Sequence, residues 1–156
     1  MKNIIIIVLV LIITVVAGWG FYKGYRIKTN AKAIKALVEQ SNSQWTYDQI
    51  KIKGYNSKAE MEAELKNVYD DSKEQLVKLN TLKSTSKTYD LEQKTQTYFS
   101  TAILAADKAG VMLSTNSFLD VISTPIVNDE EENILTTYPN QIKNEAGTLA
   151  KTVFSF

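Results

Sequence analysis

The sequence predicts an all-α protein, with an N-terminal transmembrane helix followed by an antiparallel bundle of three to four helices. Three observations carry this expectation. Ile4 to Tyr22 is a run of 19 residues without a charged side chain, and as a helix it reaches about 28 Å, close to the roughly 30 Å hydrocarbon thickness of a bilayer. In the rest of the chain, apolar residues recur every three or four positions over long stretches, the period of a helix with one buried face. Only two prolines, Pro125 and Pro139, occur in 156 residues, so few positions forbid a long helix. We divide the chain into an anchor with a basic flank (1–28), a juxtamembrane helix with a connector (29–56) and a helical bundle domain (57–156).

The anchor comes first. Thr14 is the single hydroxyl residue between Ile4 and Ala17, and Trp19, Phe21, Tyr22 and Tyr25 cluster where an aromatic belt meets lipid headgroups. A cleaved signal peptide is the rival reading, with Val15 and Ala17 preceding a cut before Gly18. Against it, the apolar run continues through Trp19, Phe21 and Tyr22, beyond the roughly 7 to 15 residues of a typical signal core. A retained signal anchor accounts for those residues. Without any cysteine the chain has no site for lipidation at a mature N-terminus and no disulfide. Gly20 and Gly24 make a G-x-x-x-G pair that can bring two membrane helices close, although glycines at a membrane edge beside Lys23 are ordinary.

Charge is unevenly spread. Residues 1–35 carry six basic and no acidic residues, and residues 36–156 carry twelve basic and seventeen acidic, so a net charge of +1 hides segments of +6 and −5. The basic collar suits anionic headgroups. An acidic body beside a membrane span lacks the footprint of a nucleic-acid binder, so no nucleic acid partner is expected. On orientation two cues oppose each other: the collar of Lys23, Arg26, Lys28, Lys32 and Lys35 favours a cytoplasmic body, whereas the short one-lysine leader and a body rich in Asn, Ser, Thr and Gln resemble an exported protein. We expect a single-pass cell-membrane protein with an extracytoplasmic body.

The body elements follow in order. Ala33, Ile34, Leu37 and Val38 keep helical spacing, so the anchor helix is expected to continue past the membrane edge. Trp45 to Tyr55 reads as a connector; Ile50 and Ile52 alternate with lysines, but no second strand is evident to pair with them. Ser57 and Glu60 form a capping box, after which Met61, Leu65, Val68, Ser72, Leu76, Leu79 and Leu82 step by three or four until Ser84-Thr85-Ser86. The opposite face carries Glu60, Glu64, Asp71, Glu74 and Lys78, the last two in the favourable i, i+4 order. A second run takes in Leu91, Thr95, Tyr98, Ala102, Ala105, Ala109, Met112 and Leu113, continues through Phe118, Leu119 and Ile122, and stops before Pro125. Its small residues from Ala102 to Gly110 allow a close helix neighbour. Asn128 or Asp129 caps a last helix with acidic residues in its first turn; Ile134, Leu135, Tyr138, Ile142, Leu149, Val153 and Phe154 form its apolar face, and Pro139 predicts a kink or two shorter helices. Tyr89, Tyr98, Phe99 and Phe118 are expected in the core.

The chemistry of the chain is sparse. With no histidine and no cysteine, the commonest general base and every imidazole or thiolate metal site are missing. No nucleophile elbow, phosphate loop or dinucleotide glycine pattern occurs. Asp70-Asp71 reads as a solvated helix face, because adjacent helical positions diverge by about 100°. Asp129 to Glu132 reads as helix-terminal charge, since it lacks the spaced ligands of a calcium loop. Trp45, Tyr47 and Tyr55 read as an aromatic plug at the bundle end. Tyr55-Asn56 followed by Glu64-Leu65-Lys66-Asn67 resembles the first body helix of LemA-type membrane proteins; the arginine-rich, proline-containing continuation of that helix has no counterpart here, and no residue role is carried over. We therefore expect no catalytic, cofactor or metal residues. The expected role is that of a non-enzymatic single-pass membrane-anchored helical protein acting through protein–protein contacts, as a homo-oligomer or with a partner helix. The alternative is an extracytoplasmic sensory or small-ligand-binding bundle with its cavity opposite Ala102 to Gly110.

Overall fold

In the computed structural model of the chain, the described residues are 2–41 and 55–152, with side chains from residue 11 onward. They form five helices, α1 (Lys2–Gln40), α2 (Lys58–Thr81), α3 (Tyr89–Thr115), α4 (Phe118–Ser123) and α5 (Asp129–Thr152), and no strand. The all-α expectation holds. Trp45, Tyr47, Ile50, Ile52, Val153 and Phe154 lie outside the described residues.

α1 has two unlike halves. Leu11, Ile12, Ile13, Val15, Val16, Trp19, Phe21, Tyr22 and Tyr25 are all exposed, on every side of the helix. From Ile27 onward the pattern becomes one-sided, and Ile27, Ala31, Ile34, Leu37 and Val38 are buried at steps of three and four. The segment expected as a juxtamembrane helix is thus continuous with the anchor segment and also supplies a fourth long helix to the core. Among the described residues no helix is long and apolar enough to cross a membrane. The part of the apolar run whose side chains are described, Leu11 to Tyr22, would reach only about 18 Å.

α2 begins as its residues dictate. The Ser57 hydroxyl accepts from the Glu60 backbone N–H at 3.2 Å, and the Glu60 carboxylate accepts from the Asn56 N–H at 3.0 Å, one residue ahead of the cap. Met61, Leu65, Val68, Ser72 and Leu79 are buried, Leu76 and Leu82 partly so. On the outer face Lys78 meets Glu74 at 2.6 Å. The chain then turns through residues 82–88, where Thr85 and Thr88 cap each other: each backbone N–H donates to the other's hydroxyl, at 3.1 and 3.2 Å. Glu92, buried on the first turn of α3, accepts from the hydroxyls of Thr88, at 2.6 Å, and Ser84.

Two expectations for the next helices fail. α3 does not run on to Ile122. Asn116 leaves the helix in an extended conformation, and Ser117 caps a separate short helix by accepting from the Asp120 N–H at 3.2 Å. The break rotates α4, so Val121 is buried while Leu119 and Ile122 face outward, with Leu119 70 % exposed. Tyr89 is also exposed rather than in the core, because the first residue of α3 stands on its outer side, whereas Tyr98 and Phe99 are fully buried and pack with ring centroids 5.0 Å apart. Phe118 is partly buried against the second core cluster.

α5 is capped reciprocally: Asn128 accepts from the Glu131 N–H at 2.9 Å, and Glu131 accepts from the Asn128 N–H at 3.1 Å. It continues through Pro139 as one helix, so the two-helix alternative is not seen. Proline removes one hydrogen bond, but Leu135, Pro139, Ile142 and Ala146 lie along one buried face, and packing on both sides of the defect holds the helix together.

Contacts set the topology. The 82–88 turn makes α2 and α3 antiparallel. Asn30 and Arg26 of α1 reach Lys83 while Ser41 reaches Asp71, so α1 is antiparallel to α2. Lys94 pairs with Glu145 and Lys108 with Glu131, which makes α5 antiparallel to α3. α2 packs most extensively on α3, and α1 on α5, with α3 and α5 joining the two pairs. The result is an up-and-down bundle of four long helices. Its core has two parts: one around Ile34, Tyr98, Phe99, Leu135 and Ile142, the other around Tyr55, Met61, Leu65, Ala109 and Leu113 at the end far from the 82–88 turn.

Candidate functional site

The most unusual surface is the stretch of α1 from Leu11 to Tyr25. Solvent-exposed apolar side chains surround it, and at its lower edge the cationic groups turn back over the aromatic belt: Lys23 Nζ sits 5.1 Å from the Trp19 ring centroid and the Arg26 guanidinium 5.9 Å from that of Tyr22. In both pairs the cation lies within reach of the negative face of an aromatic ring. Immediately below, Arg26 Nη2 and Asn30 Nδ2 both donate to the Lys83 carbonyl oxygen, at 2.9 and 2.8 Å. These bonds satisfy a backbone acceptor just past the C-terminus of α2 and clamp the 82–88 turn to α1. Asn30 and Lys83 carried no local signal in the sequence, since their contact joins residues more than fifty positions apart.

Gly20 and Gly24 do not form a shared open face. Gly20 has nothing near its Cα substituent position, but Gly24 is buried.

Asp70 pairs with Lys66, and Asp71 accepts from Ser41 at 2.8 Å and Gln75 at 3.0 Å. Asp129 to Glu132 form the first turn of α5, and among the described residues no group of acidic side chains is placed to hold a metal ion. The Lys108 ammonium, 2.6 Å away, holds the Glu131 carboxyl below the usual range against the opposing effect of burial. Tyr55 is buried in the far core, as the aromatic-plug reading expected of it. Burial, followed by the nearby Glu64 carboxylate, pushes its phenol up, so it stays protonated. Tyr55 Oη and Glu64 Oε2 are buried atoms with no well-formed hydrogen bond among the described residues.

One groove stands out on the outer side of α2 and α3. It encloses about 490 Å³, is open to solvent, and is lined by Glu62, Lys66, Tyr69 and Asp70 from α2 and by Asp107, Gly110 and Val111 from α3. The small residues expected to admit a neighbour divide their work: Ala102, Ala106 and Ala109 are buried, while Gly110 is exposed at the groove. No protein-family model matches the chain, and no curated protein or solved structure shows significant similarity to it.

Proposed function

We propose that the chain is a non-enzymatic single-pass protein of the cell membrane, held by Ile4 to Tyr22, that displays a four-helix bundle for contact with other proteins. The observation behind this is the change along α1. From Leu11 to Tyr22 it buries no face, and its second half is locked in the core of the bundle. An isolated apolar helix wholly exposed to water is unfavourable at about 25 cal/mol per Å²; lipid removes that cost. The test is carbonate washing of membranes containing the full chain. Retention in the pellet is expected, with loss to the supernatant when Ile12 and Val16 are both changed to Glu. Release of the unchanged chain would end the anchor reading.

For the protein contacts, the supporting feature is the set of exposed apolar residues Leu104 and Val111 on α3 and Leu119 and Ile122 on α4, side chains that a partner could cover. Photocrosslinkers placed at Val111 and Leu119 in intact membranes should yield a defined dimer or a partner adduct. Monomer alone would remove this reading. The open groove favours a second one, binding of a small, largely apolar ligand against Leu65, Tyr69 and Val111, since its volume falls in the usual range for ligand sites. The body is proposed to be extracytoplasmic, and an impermeant maleimide applied to intact cells should then label Thr115→Cys, the chain having no other cysteine.

A further inference from the structure

We infer that the 82–88 turn is a second membrane contact, in which Lys83 and Lys87 bind the phosphodiester headgroups of anionic lipids in the bilayer that holds the anchor. The inference rests on the anchor reading but concerns residues some sixty positions away from it. Three observations carry it. The clamp from Arg26 and Asn30 to the Lys83 carbonyl places the turn level with these residues, which lie four and eight positions beyond Tyr22, or about 6 to 12 Å along the helix axis. That is within the headgroup layer or one screening length of it. The turn also cannot swing away, because α1 runs unbroken from the apolar half to Gln40 and Ile27, Ala31 and Ile34 are buried in the bundle. Finally, the turn presents cations. Lys83 and Lys87 are exposed, and the backbone around them is ordered by the Thr85–Thr88 capping pair. The acidic groups nearest in sequence are Glu92, buried and engaged by Ser84 and Thr88, and Asp90, exposed on the first turn of α3. Together with Lys23 and Arg26 the two lysines outnumber Asp90 on this end of the bundle.

The fold therefore extends the basic collar of the sequence sideways, from one helix to the whole membrane-facing end of the bundle. Each lysine near an anionic surface favours contact by about fivefold at low salt. The chain lacks cysteine, so Ser86→Cys, an exposed position between the two lysines, can carry a single fluorophore, with Thr115→Cys at the far end of α3 as the control. The full-length labelled chain is reconstituted into vesicles of phosphatidylcholine alone or mixed with phosphatidylglycerol, each containing a lipid with a nitroxide headgroup. Flotation is measured first and quenching second. The expected result is flotation in both compositions, with quenching at Ser86→Cys at least twofold stronger in the anionic vesicles, abolition of that difference by Lys83→Gln with Lys87→Gln, and no quenching at Thr115→Cys. If the chain floats but quenching at Ser86→Cys ignores both lipid charge and the lysine changes, the headgroup contact is wrong while the anchor stands. If the chain does not float, both fall together.

Discussion

Replacing Ile34 by Ala tests whether the second half of α1 is a true bundle helix or a stalk. Ile34 is fully buried in the main core cluster, with Tyr98, Phe99, Leu135 and Ile142 as fellow members. The substitution removes three carbons, and at about 0.8 kcal/mol for each buried methylene the transfer loss is about 2.4 kcal/mol. The cavity left in a packed core adds to this, for a total of about 3 to 4 kcal/mol, within the measured spread for such changes. For a body of this size that lowers the unfolding midpoint by roughly 10 °C. The assay is thermal unfolding of the full chain in mild detergent, followed by circular dichroism. Val77→Ala is the matched control, because Val77 is 64 % exposed on α2, and surface changes of this kind usually stay within about 0.5 kcal/mol. If Ile34→Ala melts together with Val77→Ala, the lower half of α1 does not pack, and the rigid coupling of bundle to anchor is wrong.

Leu79→Ala should cost about 2 to 4 kcal/mol and Leu76→Ala clearly less, because Leu79 lies within the core cluster and Leu76 only at its edge; equal urea midpoints for the two would contradict the observed burial. Gly110→Ala should raise stability by about 0.5 to 1 kcal/mol, since a Cβ there meets nothing within 4 Å and glycine is a poor helix former; a loss of stability would mean the groove is filled. Glu131→Gln should weaken the bundle by less than about 1 kcal/mol at neutral pH, the Lys108 partner being partly exposed. Because folding lowers the Glu131 pKa, its stabilisation is present above about pH 4.5, the ordinary carboxyl value, and disappears as the pH falls through the folded value below it. The difference between wild type and Glu131→Gln should therefore shrink in acid, and a difference that grows there would reverse the assignment.

Local physics made much of this fold legible. The Ser57–Glu60 capping box, the stripe from Met61 to Leu79 and the acidic first turn of α5 are each written in a few neighbouring residues, and each is found where those residues place it. What was not legible depends on distant partners or on a single rotation. Apolar spacing from Leu113 to Ile122 looks continuous, but Asn116 and Ser117 can satisfy backbone groups outside a helix, and one break there is enough to turn Leu119 and Ile122 to solvent. Gln75, Thr88 and Glu92 are buried with partners one helical turn away, Gln75 donating to Asp71 and Thr88 to Glu92, and no periodicity announces a polar residue in a core. For the candidate site, the apolar half of α1 and its collar were plain in the sequence, whereas the contribution of the 82–88 turn required knowing that Lys83 lies beside Asn30.

The dipolar sequence becomes a dipolar bundle. Among the described residues, Lys23, Arg26, Lys83 and Lys87 lie at the end next to the apolar helix, while Glu60, Glu62, Asp120 and Asp129 to Glu132 lie toward the opposite end, where α2 and α5 begin and α3 ends, with Lys58 and Lys108 paired to Glu62 and Glu131. Beside an anionic surface the first end is attracted and the second repelled, and both effects fade within about 8 to 10 Å at physiological salt. Only the near end feels the surface directly, so the charges act less as a uniform pull than as a restraint on tilt: leaning the bundle over would bring acidic groups toward the headgroups. In the proposed membrane arrangement, with α1 unbroken between the two regions, the same restraint would hold the α2–α3 groove and the exposed Leu104, Val111, Leu119 and Ile122 clear of lipid. Reversing the near-end charge with Lys83→Glu and Lys87→Glu should then reduce photocrosslinking from Val111 without changing the unfolding midpoint, and unchanged crosslinking would separate partner contact from bundle orientation.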